Sequence, residues 1–312
     1  MVFVDSDVEI IEQKPGLKGA LQCAEYAGRT CYNSYNKMTD DSYDDFIKML
    51  IGLKHTSPLE FATIYLETPE GSEVDCFWKE CRTYDRNNLQ DRDKYCRIRY
   101  MEGIAYITTN YNELLIWDRL DDLKCLVDEP SVYHEQRVMV KWSPIARGIA
   151  DEFRTHRTFS HCIQSTRYCN YSRADKFGDD IRFVLPIKAY KIKDRLGIED
   201  MAGLTGNDLA RKLSEYDEGF AAYAKSLEQA ESGYKALLSH AWTPQEARGV
   251  LGLDVMTEHC MCGFVSDWNR FLNLRCGKGA HPDASALARR LFSKIKGEHA
   301  DYGVNCSSEK NL

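Results

Sequence analysis

Residues 155–168 read THRTFSHCIQSTRY. Two arginines, two histidines, two serines and a glutamine fall within this short stretch. A guanidinium presents forked N–H donors that match a phosphate, and a neighbouring hydroxyl can complete the grip. Two further arginines stand in apolar surroundings: Arg248 inside ARGVLGLDVM, and Arg275 at the end of a stripe made by Trp268, Phe271 and Leu272. Such an arginine either packs its stem and sends its head to water, or has its head held beside a ligand, because an unpaired buried charge is costly. The chemistry on offer is anion binding and stabilisation of negative charge. The bland alternative is a solvated basic face, and spacing alone leaves both open.

Composition narrows the partners. The chain has 312 residues, 43% hydrophobic, which is ample for a core. A net charge of −7 argues against a nucleic-acid polymer, which calls for a basic face, yet leaves a single nucleotide open. No apolar run approaches a membrane span, and MVFVDSDVEIIE lacks the basic start and apolar stretch of a signal peptide. A soluble cytoplasmic protein with no membrane partner is expected. The twelve cysteines include no CxxC pair. Cys23, Cys31, Cys125 and Cys169 sit in apolar or mixed contexts, as small buried hydrophobes do. The cluster His259-Cys260-Met261-Cys262 and the pair Cys76 and Cys81 lack zinc spacing, so neither a metal site nor a disulfide framework is expected.

The elements that must position these residues are partly legible. VEIIEQ alternates as a strand does, and Thr39-Asp40-Asp41-Ser42 caps a helix whose apolar stripe is Phe46, Met49, Leu50 and Leu53. Ser57-Pro58 breaks that helix, and FATIYL, GIAYITTNY and EQRVMVKW read as strands. Residues 70–100 show no sustained period and read as a solvated insertion with some helix. Ser143-Pro144 has the signature of a helix start, with Ile145, Ile149, Glu152 and His156 on one face and Arg154, His156 and Arg157 in the last turn. Cations there favour the helix dipole, which explains the basic turn but not Ser160, Ser165 and Arg167 beyond it. FSHCIQSTRY reads as extended chain, with Ser165 and Arg167 on one face and Tyr168 on the other. Thr243-Pro244-Gln245-Glu246 is a capping-box start leading to Arg248, and a further helix starts near Ser266-Asp267 and ends at Gly277 and Gly279. Strands and helices mixed in this way favour an α+β arrangement.

Taken in order, five motifs resemble the flavin-dependent thymidylate synthases. His55-Thr56-Ser57-Pro58-Leu59-Glu60 matches the family's His-x-Ser-x-x-Glu, and RTCYNS at 29–34 its early helix end. Thr155-His156-Arg157, Ser160 and Ser165-Thr166-Arg167-Tyr168 match its Arg-His-Arg, Ser and Ser-x-Arg-Tyr hallmark. Arg248-Gly249-Val250-Leu251 and Phe271 to Arg275 match its closing elements, so the similarity runs from about residue 7 to 295. The resemblance implies a single domain over 1–312, with an insertion near 70–100 and a short tail near 300–312. It implies an α+β fold of mostly antiparallel sheet packed with long helices and no Rossmann domain. The activity implied is reductive methylation of dUMP to dTMP, with FAD as cofactor and NADPH and methylenetetrahydrofolate as co-substrates, in a homotetramer whose sites draw on several subunits.

Residue by residue, the resemblance sets Arg275 beside the pyrimidine, favouring ionisation at N3. It assigns dUMP binding to Glu152, Ser165, Arg167, Arg248 and Arg275, and FAD contacts to His55, Ser57, Thr155, His156, Arg157 and Arg270. No cysteine nucleophile is needed, and no GxGxxG element occurs. Three positions depart from the family pattern: Thr155 replaces the first arginine of the triplet, Ile163 a Glu or Gln, and Gly252 a proline. Arg154, one position before Thr155, would point about 100° away on a helix. These departures keep two alternatives in view: the same fold and flavin with another pyrimidine nucleotide or a hydroxymethyl product, and a catalytically silent nucleotide- or flavin-binding subunit.

Overall fold

The computed structural model describes residues 1–84, 94–172 and 180–306. The strands, in chain order, are β1 (Val2–Val4), β2 (Val8–Ile11), β3 (Thr63–Pro69), β4 (Arg97–Met101), β5 (Ile104–Asn110), β6 (Arg137–Ala146), β7 (Ser160–Ile163), β8 (Arg182–Val184) and β9 (Met256–Phe264). They form a four-stranded antiparallel sheet in the order β2-β6-β9-β7, a three-stranded antiparallel sheet in the order β3-β5-β4, and a parallel pair β1-β8. Helix and mostly antiparallel sheet together make the expected α+β architecture. Among the described residues no helix is long and apolar enough to cross a membrane.

The four-stranded sheet is covered on both faces, and its strands alternate accordingly. Val138, Val140 and Trp142 of β6 and Met261 of β9 pack against Trp268, Phe271 and Leu272 of the helix Val265–Arg275 and against Leu287 and Leu291 of the helix Pro282–Glu298. Met139, Cys162, Cys260 and Cys262 face the other way, onto Cys23 and Ala27 of the helix Gly16–Tyr32. Both core tryptophans satisfy their indole N–H: Trp142 donates to Met261 Sδ at 3.2 Å and Trp268 to the Val138 carbonyl at 3.1 Å. Two other cores flank this one. The first lies under the three-stranded sheet, and the second among β1, β8 and the helices Ile187–Leu196, Gly206–Tyr216 and Glu218–Ser239.

Several elements differ from the sequence reading. Ser143-Pro144 does not start a helix. Strand β6 continues to Ala146 with a register shift between Trp142 and Ile145, and the helix is Arg147–Phe153. The Ser143 N–H bonds to the Asp7 carbonyl, and Pro144 sits at the bulge, where a ladder donor is not required. In the helix Ser42–Gly52 the buried stripe is Phe46, Ile47 and Leu50, while Met49 and Leu53 are 43% and 56% exposed. The segment 165–168 is a turn rather than extended chain. Residues 73–84 form the expected helix, but Val74 and Trp78 are buried in a core and β4 pairs with β5, so this part is not merely solvated. The rest of that stretch, 85–93, lies outside the described residues, as does 307–312 of the expected tail.

One close approach ties the sheet to the segment before β7. A Cβ on Gly263 of β9 would lie 2.5 Å from Cδ1 of Phe159, whose ring packs on Trp268 at 4.5 Å between centroids. We expect Gly263→Ala to cost about 1–3 kcal/mol by overpacking. The urea midpoint reads this directly, and an unchanged midpoint would mean that Phe159 yields at no cost.

Candidate active site

The helix Val265–Arg275 ends on the side chain that matters most. Its stripe of Trp268, Phe271 and Leu272 is buried, and Arg275 continues it at 9% exposure. The guanidinium does not snorkel. Nη1 donates to Glu152 Oε2 at 2.7 Å, Nη2 to the Glu152 carbonyl at 2.8 Å, and Nε to Nε2 of His156 at 2.9 Å. Three of its five N–H donors are thus engaged, which leaves two. The helix Arg147–Phe153 stops just after Glu152 and its last turn tightens, so the Glu152 carbonyl accepts the Thr155 N–H at 3.2 Å and turns a remaining lone pair to Arg275. The Thr155 hydroxyl also donates to that carbonyl, at 2.7 Å.

His156 must be neutral to accept from Arg275. Burial, then the charge of Arg275, then His161 lower its pKa to about 4. With Nε2 as acceptor, the ring proton sits on Nδ1. The ring also packs on Phe271, 4.8 Å between centroids.

A second cluster shares the helix that carries Glu152 and adds residues of β7 and of the turn after it. Arg147, Arg154, Arg167 and Arg248 line a cleft of ≈ 300 Å³ together with His161, Ile163, Gln164, Ser165 and Thr166. The turn after β7 builds its floor. Ser165 Oγ accepts the backbone N–H groups of Arg167 at 3.2 Å and Tyr168 at 3.4 Å, which leaves its own O–H as a donor. Thr166 Oγ1 accepts from Arg248 at 2.6 Å. On the opposite wall Asp151 holds Arg147 at 3.3 Å and Arg154 at 3.5 Å, and Arg147 also donates to the Gln164 carbonyl at 3.4 Å. Four guanidiniums against one carboxylate leave a net charge of +3 at this cleft. Such a concentration of like charge is what an anion site requires.

The expected residues thus fall into three groups. Glu152, His156 and Arg275 converge, and Ser165, Arg167 and Arg248 converge beside them. His55, Ser57, Thr155, Arg157 and Arg270 do not line the cleft and are exposed. Ser57 opens a 3-10 turn, Ser57–Phe61, and Arg270 lies on the outer side of its helix, 3.6 Å from Asp267. Arg147, Arg154, His161, Thr166 and His259 were not assigned from sequence. The spacing Arg147, Asp151, Arg154 was the available signal, since steps of four and three share a helix face. Arg154 reaches the cleft because it is still helical, its N–H bonding the Ala150 carbonyl at 3.0 Å, so the rotation that turns it away from Thr155 sets it on the face of Arg147 and Asp151.

A sequence profile of the family described as thymidylate synthase complementing protein matches residues 130–299, more than half of the chain. No individual curated protein matches the chain. Among solved structures it is similar to ThyX from Helicobacter pylori with FAD and dUMP, at 15% identity and a TM-score of 0.38 over 95% of this chain and 96% of that one. A second structure of the same bacterium's flavin-dependent thymidylate synthase, complexed with FAD and dUMP, gives 16% identity and a TM-score of 0.37 over 95% and 97%. The profile match takes in β6, β7, β9, every arginine of the cleft and Arg275. On that match, the chain belongs to the thymidylate synthase complementing protein family, the flavin-dependent thymidylate synthases.

Proposed function

We propose that the chain converts dUMP to dTMP by reductive methylation, as a cytoplasmic homotetramer, with FAD as cofactor and methylenetetrahydrofolate and NADPH as co-substrates. The observation that carries this reading is the cationic cleft beside a buried, carboxylate-paired Arg275. In it, Ser165, Arg167 and Arg248 hold the nucleotide phosphate, with Arg147 and Arg154 adding charge from the other wall. Ser165 is a positioning residue: its oxygen accepts two backbone N–H groups, and no base adjoins it to make it a nucleophile. Arg275 uses its two remaining donors at the pyrimidine edge, where a fixed cation stabilises the charge that develops on ionisation of N3. Glu152 orients that guanidinium.

The residues assigned to FAD suit it chemically. The Ser57 hydroxyl, the His156 Nδ1–H and the guanidiniums of Arg157 and Arg270 are donors for a pyrophosphate and for ring carbonyls, with His55 and Thr155 beside them. Within one protomer they do not share a cavity with the cleft, in keeping with a site completed between subunits. When bound, the reduced flavin supplies the hydride. A second reading keeps the fold and flavin but takes another pyrimidine nucleotide or forms a hydroxymethylated product. Its support is Ile163, an apolar side chain in the wall of the cleft.

The purified protein should carry a flavin spectrum bleached by NADPH and should form dTMP from dUMP and methylenetetrahydrofolate; turnover of dCMP instead would select the second reading. Arg275→Ala should lower kcat by roughly 10²–10³-fold with FAD still bound, and near-full activity would remove Arg275 from the chemistry. Arg167→Gln and Arg248→Gln should each weaken dUMP binding by about 10- to 100-fold, the worth of a charge-assisted hydrogen bond. Unchanged dissociation constants in calorimetry would place the phosphate elsewhere. Stability should depend on pH through the same site. The pKa of His156 in the fold, about 4, lies below the ordinary 6.5. The native chain therefore binds fewer protons than the unfolded one, and this stability is full above pH 6.5 and lost as the pH falls toward 4. His156→Gln keeps an acceptor for Arg275 without titrating, so its Tm should fall less steeply over that range; an identical slope would show that His156 does not contribute.

A further inference from the structure

Three histidines, His156, His161 and His259, join the two halves of the site. His161 on β7 and His259 on β9 are diagonal neighbours in the ladder, since Ile163 pairs with His259 and His161 with Met261. Their rings stand 5.2 Å apart, with His161 Nδ1 3.0 Å from His259 Nε2. The other nitrogen of His161, Nε2, lies 3.0 Å from the carbonyl oxygen of His156.

The protons can be assigned from these contacts. A carbonyl only accepts, so His161 carries its proton on Nε2 and donates to His156. Its Nδ1 is then an acceptor, and His259 must donate from Nε2. His259 is fully buried, and its Nδ1 has no hydrogen-bond partner. A buried imidazole with a bare lone pair is an unfavourable filler of a sheet core, where an aliphatic side chain would leave nothing unsatisfied. Its one hydrogen bond selects the tautomer of His161. His161 in turn anchors the irregular segment between the helix Arg147–Phe153 and β7, at the residue whose imidazole accepts Arg275 Nε.

We propose that the His259–His161 pair is a positioning device for Arg275, acting through the His156 backbone. His161 ties the turn that carries His156 to the central sheet, and His259 holds His161 in the tautomer that can make this tie. The device sets the direction of the guanidinium and leaves its charge unaltered. It rests on the reading of Arg275 as the group that faces the pyrimidine. His161 also lines the arginine cleft, so direct contact with the nucleotide is the competing role.

The test compares His161→Leu, His161→Gln and His259→Leu in the FAD-loaded full chain. Two measurements are made: steady-state kinetics with dUMP, and exchange of the Arg275 Nε–H proton by ¹⁵N NMR, assigned by its loss in Arg275→Ala. His161→Leu should lower kcat by roughly 10- to 100-fold, as a small misplacement of a catalytic group does, and leave KM for dUMP within about threefold. It should also speed Arg275 Nε–H exchange at least about tenfold, because the acceptor is no longer held in place. His161→Gln retains a donor for the carbonyl and should recover both values. His259→Leu, which leaves His161 free to change tautomer, should fall between the two and provides the same readouts if His161→Leu does not fold. A raised KM with unchanged kcat and unchanged exchange would overturn the proposal in favour of direct nucleotide contact. Equal loss in His161→Leu and His161→Gln would overturn it too. If the wild-type chain does not turn over dUMP, the proposed activity fails, while the exchange measurement still decides whether the pair positions Arg275.

Discussion

Arg275 is a full charge at the end of a buried helix stripe, and much of the site follows from what that burial demands. A guanidinium removed from water needs partners on most of its donors, or its desolvation is not offset. Here they come from one short segment: the Glu152 side chain, the Glu152 carbonyl and His156. The carbonyl lies in the last, tightened turn of the helix Arg147–Phe153, where it also accepts the Thr155 N–H, and His156 can accept only while neutral. Helix end, turn geometry and protonation state therefore meet at the same ion pair. The aromatic cluster of Trp142, Phe153, Phe159, Trp268 and Phe271 beneath it supplies the low-dielectric surroundings that keep His156 neutral.

The cleft works on the opposite principle. Its arginines are mostly at the surface, each tethered by one or two contacts and retaining unspent donors. The chain as a whole is acidic, at −7, while this small volume carries net positive charge. A local positive field on a negative background draws small anions to one place without attracting polyanions broadly. The desolvated, fully partnered face of Arg275 thus lies beside an open cluster that keeps its donors, two different electrostatic environments within one site.

How much of this was legible depended on whether one physical cause dominated each segment. The stripe ending at Arg275 and the capping box at Thr243 and Glu246 were readable because helical period and cap chemistry act locally, and both are present as expected. Ser143-Pro144 misled because a proline without an N–H suits a strand bulge as well as a first helical turn, and only pairing with β2 and β9 separates the two. The turn at 165–168 was read as extended because alternation of polar residues carries no register of its own. Its shape comes from the Ser165 side chain capping two N–H groups. Val74 and Trp78 were hidden among charges, since a single buried turn of an otherwise polar helix leaves no sustained period. The pairing of His161 with His259 was not legible at all. They are far apart in sequence, and only the β7–β9 register sets them on one face.

Thr155 shows how the two levels of reading correct each other. From sequence it is a missing arginine, one cation fewer at the site. In the fold its short hydroxyl reaches back to the Glu152 carbonyl, the same oxygen that receives Arg275. The Thr155 N–H reaches the same oxygen at 3.2 Å, so backbone and side chain together close the end of the helix. Arg154, still helical and three residues on from Asp151, continues that face onto the wall of the cleft and pairs with Asp151. The cleft therefore does not lack a cation on that wall: Arg154, the residue before Thr155, provides one. Relative to the family pattern, the substitution therefore changes which residue carries the charge on that wall, not whether a charge is there.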